Sequence, residues 1–211
     1  MKELFTDIPK PVAERMKALE ERDTKDRGDK TPKLKRLRQI PPESGAVLAT
    51  LAATAPEGPM LEIGTSGGYS ALWLSLANRL RGEKFVTFEL LPEKAELARE
   101  TFSKAEVGEY VELVHGDARG HISDFENIAF CFLDAEKEMY EEFFELVVPK
   151  LVEGGLLVAD NAKSHEKELA KFFKKAEQDE SVDTLMLNVG KGLLICSKKA
   201  KVEKKKKKAK K

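Results

Sequence analysis

Cysteine is scarce in this sequence. Cys131 and Cys196 are the only two, both lie inside apolar runs, and no CxxC or Cys/His spacing accompanies them. That excludes a zinc site read from spacing, and both thiols are expected in the core. Long hydrophobic runs are missing too. No stretch approaches the ~18 apolar residues of a membrane span, and the opening MKELFTDIPKPVAERM has no apolar core of the signal-peptide kind. A cytoplasmic protein without membrane contact is the expectation. Aromatic residues make up 7% of the chain and tryptophan occurs once, as Trp73 in a core-helix pattern, so no stacking platform for nucleic acid stands out.

Net charge is absent only as a sum. Residues 198–211, KKAKVEKKKKKAKK, carry ten lysines and one glutamate, a net +9, which leaves the rest of the chain at −9. Like charges at that density repel, so residues 199–211 are expected to form a disordered tail. Weak, sequence-independent contact with RNA or another polyanion is the partner it suggests.

What the sequence does have is alternation. Val12, Met16 and Leu19 mark a helix over 10–22, followed by an exposed polar loop, DTKDRGDKTPK, and a small-residue helix for which Ser44 is the expected N-cap. From residue 60, strand-like runs (MLEI, KFVTFEL, YVELVH, IAFCFLD, GLLVAD) alternate with helical patterns at 69–80, 93–105, 118–125, 138–151 and 164–178. Such alternation predicts a parallel sheet wound on both faces. VDTLMLNV and LLICSK around a glycine-bearing turn add a C-terminal antiparallel hairpin. The expected fold is α/β, a seven-stranded, mostly parallel sheet. One domain is expected over 1–198, with 1–40 as an N-terminal cap over the site.

In open α/β sheets ligands bind at the carboxyl ends of the strands. The first strand-to-helix loop, EIGTSGGYSAL, has Gly64, Gly67 and Gly68, which let backbone approach a ligand closely. A dinucleotide fingerprint would need glycine at Ser66 and Tyr69, and no Gly-Lys-Ser/Thr follows, so nicotinamide and P-loop chemistry are excluded. Glu62 ends a buried strand, where a ligand ammonium would satisfy it, directly or through water. Glu89 ends the next strand, where an acid accepts from ribose hydroxyls. Gly116, Asp117 and Ala118 stand where an adenine edge would lie. Ammonium, ribose and adenine without a pyrophosphate describe S-adenosylmethionine.

The fourth and fifth strands end in Asp134 and in Asp160-Asn161. Two carboxylates and an amide are hard oxygen donors that suit Mg²⁺, with Ca²⁺ and Mn²⁺ left open. Lys137 follows Asp134 by three residues. Beside a divalent cation an ammonium is disfavoured, so Lys137 is a candidate general base for a hydroxyl proton.

With EIGTSGGYSAL, FLDAEKEMY, ADN and NVGKGLLIC in hand, the chain resembles the metal-dependent class I O-methyltransferases of the catechol and caffeoyl-CoA group, over roughly residues 40–197. The resemblance implies a Rossmann-like class I methyltransferase fold. It places Gly64, Thr65, Ser66 and Ser70 against the methionine moiety, Glu89 on the ribose, and the backbone around Asp117 and Ala118 on adenine. It gives the metal to Asp134, Asp160 and Asn161, and the base to Lys137. The implied activity is methyl transfer to a hydroxyl of a small catechol-like or vicinal-oxygen acceptor, and dimerisation, common in that group, implies a homodimer. Three departures concern the acceptor's walls: no long insertion follows Asn161, RQIPPESG offers Gln39 and Ile40 where a Thr is often found, and Glu136 replaces the Trp of the animal catechol enzymes. Two alternatives stay open: methylation of a hydroxylated uridine in tRNA, and a non-catalytic module that binds S-adenosylmethionine or a polyanion.

Overall fold

The computed structural model describes residues 7–32 and 35–200. Strands β1 (Met60–Ile63), β2 (Phe85–Glu89), β3 (Val111–His115), β4 (Ile128–Leu133), β5 (Leu151–Ala159), β6 (Val182–Leu187) and β7 (Leu193–Lys198) form one sheet. Its order is β3-β2-β1-β4-β5-β7-β6. The first five strands run parallel, and β7 is antiparallel to both β5 and β6. The α/β sheet with its terminal hairpin is therefore the one read from the sequence.

The helices are α1 (Lys10–Gly28), α2 (Pro42–Thr54), α3 (Tyr69–Arg81), α4 (Pro92–Lys104), α5 (Tyr140–Val147) and α6 (Ala170–Gln178). Alternate residues of a strand face opposite sides of a sheet, and β4 divides accordingly. Phe130 and Phe132 join the core under α1 to α4, whereas Cys131 and Leu133 join the core under α5 and α6. Both cysteines are buried and free. Among the described residues no helix is long and apolar enough to cross a membrane.

Four local expectations are corrected. The first half of the polar stretch after residue 22 is not a loop, because α1 continues through it to Gly28, and only from Asp29 does the chain leave the helix. Two of its acids turn inward: Asp23 accepts from Arg27 Nε at 2.6 Å and Asp26 from the Leu37 amide at 3.3 Å. Ser44 does not cap α2, which starts behind Pro41 with Pro42 in the first turn, where a missing N–H costs nothing. The helix expected from 164 begins only at Ala170, because the Lys163 and Ser164 amides bond to Lys191 O at 2.9 and 3.0 Å. Finally, Lys199 of the expected tail still pairs with the sheet, its amide donating to Ser181 O at 2.9 Å. Residues 201–211, which hold the rest of the Lys-rich tail, lie outside the described residues.

Candidate active site

The carboxyl ends of β1, β2 and β4 open into one cleft of about 690 Å³. The loop after β1 is locked to its neighbours through backbone. Gly64 N and Thr65 N both donate to Phe88 O, at 3.0 and 3.1 Å. Gly64 has φ of 103°, and a Cβ there would lie 2.3 Å from Asp134 O, so only glycine lets this loop press against the tip of β4. Ser66 is held from two sides. Its amide donates to Glu89 Oε2 at 2.7 Å and its hydroxyl to Leu37 O at 2.8 Å. The other carboxylate oxygen of Glu89 accepts from the Leu91 amide at 2.8 Å. Each oxygen keeps a second lone pair for a ligand hydroxyl.

Gly64, Thr65, Ser66 and Ser70 line the cleft, as do Glu89, Asp117 and Ala118. Asp117 caps a short 3-10 turn, Ala118–Gly120, accepting from the Arg119 amide and guanidinium. That pairing holds the Asp117 carboxyl below its ordinary range.

Glu62 stands behind the cleft wall. It is fully buried and lies outside the cleft lining, behind Thr65 and Ser70. Its Oε2 accepts from Thr87 Oγ1 at 2.5 Å, and Thr87 Oγ1 also meets Thr65 Oγ1 at 2.5 Å. Its Oε1 is buried and makes no hydrogen bond of good geometry, although the Ser70 hydroxyl lies close enough to act on the carboxyl. Burial pushes the Glu62 carboxyl up to about 7, an effect that the Ser70 and Thr87 hydroxyls only partly offset.

The second cluster converges as the strand order predicts. Asn161 Nδ2 donates to Asp134 Oδ1 and to Asp160 Oδ2, both at 2.8 Å. Asp160 is fully buried, its Oδ1 has no partner, and burial followed by the nearby Asp134 charge raises its carboxyl above the ordinary range. Two carboxylates share one neutral amide NH₂, with a spare buried oxygen on Asp160, and the one ammonium in direct contact, Lys137, reaches only Asp134. The donor set therefore fits a hard divalent cation. The Ser164 hydroxyl, 3.3 Å from Asn161 Oδ1, both donates and accepts, so it can partner the amide whichever end faces the acids. Among the described residues no group of three or more His, Cys, Asp or Glu side chains is fit to hold an ion; here the third donor is an amide.

Lys137 is held by three acceptors. Its ammonium reaches Asp134 Oδ1 at 3.2 Å, Ala135 O at 2.9 Å and Tyr140 Oη at 2.8 Å. Tyr140, which helical spacing assigns to the core, is indeed fully buried, but its hydroxyl joins Lys137 to Asp160 O at 3.3 Å. Met139 and Phe143 line the cleft. Arg38, Lys94 and Lys191, to which the sequence assigned no role of their own, also stand on its walls. Arg38 bridges to Glu136 at 2.5 Å across the mouth. Arg38, Ser66 and Asn161 line the cleft with φ of 53°, 49° and 64°, conformations that non-glycine residues rarely hold.

Comparison with known proteins gives a consistent picture. A family model described as O-methyltransferase matches residues 14–199. A catechol O-methyltransferase of Mycobacterium tuberculosis is 33% identical over 121 residues, 56% of this chain and 54% of that protein. One of Niastella koreensis is 29% identical over 127 residues, 58% of this chain and 57% of that protein. The matched stretch thus spans about half the length of these relatives. The fold is shared with a Bacillus cereus O-methyltransferase solved in complex with SAH, with a TM-score of 0.74 at 21% identity over 92% of this chain and 94% of that one.

Proposed function

Because the chain belongs to the O-methyltransferase family, we propose that it transfers the methyl group of S-adenosylmethionine to a hydroxyl of a small acceptor with vicinal oxygens, aided by a divalent cation. The observation that carries this is one cleft walled by the Gly64–Ser70 loop and Glu89 on one side and by Asp134, Lys137 and Asn161 on the other. The catechol-type relatives and the SAH complex of the Bacillus cereus neighbour support it.

S-adenosylmethionine supplies an electrophilic methyl on sulfur. Gly64, Thr65, Ser66 and Ser70 would hold its methionine portion and Glu89 its ribose hydroxyls, with Asp117 and Ala118 along adenine. Positioning of this kind contributes roughly 7–11 kcal/mol in the best model systems. Asp134, Asp160 and Asn161 would hold Mg²⁺ or a similar ion, which lowers the pKa of the acceptor hydroxyl and fixes its place. Bound there, the cofactor would offer its sulfonium methyl to the acceptor oxygen with S-adenosylhomocysteine as leaving group, and Lys137 Nζ, having given one of its own protons to solvent, would take the hydroxyl proton. Tyr140 Oη and Ala135 O keep that nitrogen aimed while its bond to Asp134 is exchanged.

The test is methyl transfer from labelled S-adenosylmethionine to a panel of catechols, with Mg²⁺ and with EDTA. Expected are transfer that EDTA abolishes and a loss of about 100-fold or more in Lys137→Ala, in the range of a general base. Cofactor binding without transfer to any acceptor, tRNA included, would establish the binding module instead. Full turnover in EDTA would remove the cation.

A further inference from the structure

Resting on the acceptor reading above, we propose that Lys191 binds a carboxylate carried by the methyl acceptor, so that the preferred substrate is an anionic hydroxyaryl compound and not a neutral one. The other cations near the reacting end are already matched. Lys137 pairs with Asp134, Arg38 with Glu136, and Arg27 with Asp23. Lys191 lines the same cleft, yet among the described residues no carboxylate lies within ion-pair distance of it. Its one hydrogen bond goes to Gln39 O at 3.1 Å. An ammonium has three donors, so this contact leaves most of its capacity unused. The charge it feels from Asp160 acts without direct contact, so its remaining N–H donors are free to take a ligand oxygen.

The fold takes trouble to put it there. Lys191 O accepts from both Lys163 N and Ser164 N, and Ala162 N donates to Gly192 O at 3.0 Å. Gly192 has φ of 87°, and a Cβ on it would fall 2.5 Å from Lys163 N. The turn of the hairpin is therefore fastened to the segment that directly follows Asn161. Asp134, Asn161, Ser164 and Lys191 all line the one cleft, so an acceptor held at Asp134 and Asn161 shares its cavity with this wall. Lys94, which also lacks a carboxylate within ion-pair distance among the described residues, is a separate case. It stands in the first turn of α4, where Glu89 acts on it, at the cofactor end.

Lys191 also acts on Asp160 through charge, and a role confined to that would affect every acceptor alike. The two roles separate in a competition between protocatechuate and its neutral amide, using the full chain with Mg²⁺ and S-adenosylmethionine. The acid-to-amide ratio of kcat/KM is expected to favour the acid in the wild type, to fall about tenfold in Lys191→Met, as for the loss of one hydrogen bond to a charged group, and to recover in Lys191→Arg. A ratio that Lys191→Met leaves unchanged overturns the proposal while the methyl-transfer reading stands. Calorimetric binding of protocatechuate to the S-adenosylhomocysteine complex covers the converse. If neither compound is methylated but Lys191→Met weakens binding of the acid, the anion site stands and the transfer reading falls.

Discussion

The hydroxyl of Tyr140 lies 2.8 Å from Lys137 Nζ while the ammonium sits 4.7 Å above the centre of the same residue's ring. One aromatic side chain thus holds the candidate base in two ways. Its own ring is fixed by an edge contact with Phe172, centroids 5.5 Å apart.

Tyr140→Phe keeps the ring and removes the hydroxyl. It is expected to lower kcat about tenfold, leave cofactor affinity unaffected, and cost about 1 kcal/mol of stability for the lost hydrogen bonds. Tyr140→Leu, which also removes the face beneath the ammonium, should lower kcat further. Steady-state kinetics and chemical denaturation measure both, and a Tyr140→Phe enzyme with wild-type kcat would show that Lys137 needs no such support.

Glu62 makes stability depend on pH. Burial keeps its proton on up to about pH 7, whereas in the unfolded chain the proton leaves near the ordinary value of 4.5. The native state binds more protons between those limits, so this contribution is full below pH 4.5, falls as pH rises, and is gone above pH 7. Glu62→Gln, neutral at every pH, is expected to exceed the wild type by about 1–3 kcal/mol at pH ~8 and to lose that lead toward pH ~4.5. Urea unfolding across this range decides it.

Mg²⁺ should stabilise the folded protein without any acceptor present. At a hundredfold excess over Kd the linkage is about 2.7 kcal/mol, visible as a rise in Tm. Asp160→Asn should abolish that rise. Without the ion it should unfold at a higher temperature than the wild type, because a buried carboxylate facing Asp134 is removed.

The Arg38–Glu136 bridge joins the segment before α2 to the loop after β4, with side chains 36% and 55% exposed. So exposed a pair adds little to stability, under about 0.5 kcal/mol. Its expected effect is on association. Arg38→Gln should change the rate at which S-adenosylhomocysteine binds about three- to fivefold and weaken the salt dependence of that rate, since rim charges act mainly on association, and stopped-flow binding measures it.

Gly64→Ala is expected to cost more than about 2 kcal/mol, because both the positive φ and the missing Cβ are required there. Denaturation should show the loss, and calorimetry should show weakened cofactor binding with it.

Much of this molecule could be read from its residue order. Strand period and glycine turns are local, so the sheet, its hairpin and the residues at the strand tips were legible. The Asp134, Asp160 and Asn161 cluster followed from the strand order alone. Other features needed the third dimension. That Glu62 meets the Thr87 hydroxyl follows from the register of β1 with β2, which no local pattern gives. Asp23 and Asp26 read as solvated charges until a helix turns them toward Arg27 and Leu37. Tyr140 follows Lys137 by three residues, a spacing that offers contact, but its apolar neighbours hid it among core positions. Arg38 and Lys191 come from opposite ends of the chain, and no local pattern announces that they share a wall.

The last strand of the fold is not at its border. β7 lies between β5 and β6, so the sheet's interior is filled only when synthesis has passed residue 198. Until then β5 has a bare edge and β6 no neighbour to pair with, a state open to mispairing with other chains. A nascent or prematurely terminated polypeptide therefore lacks more than its final few residues. It lacks the wedge that fastens Asn161's segment, and any partial product should be both inactive and prone to aggregate.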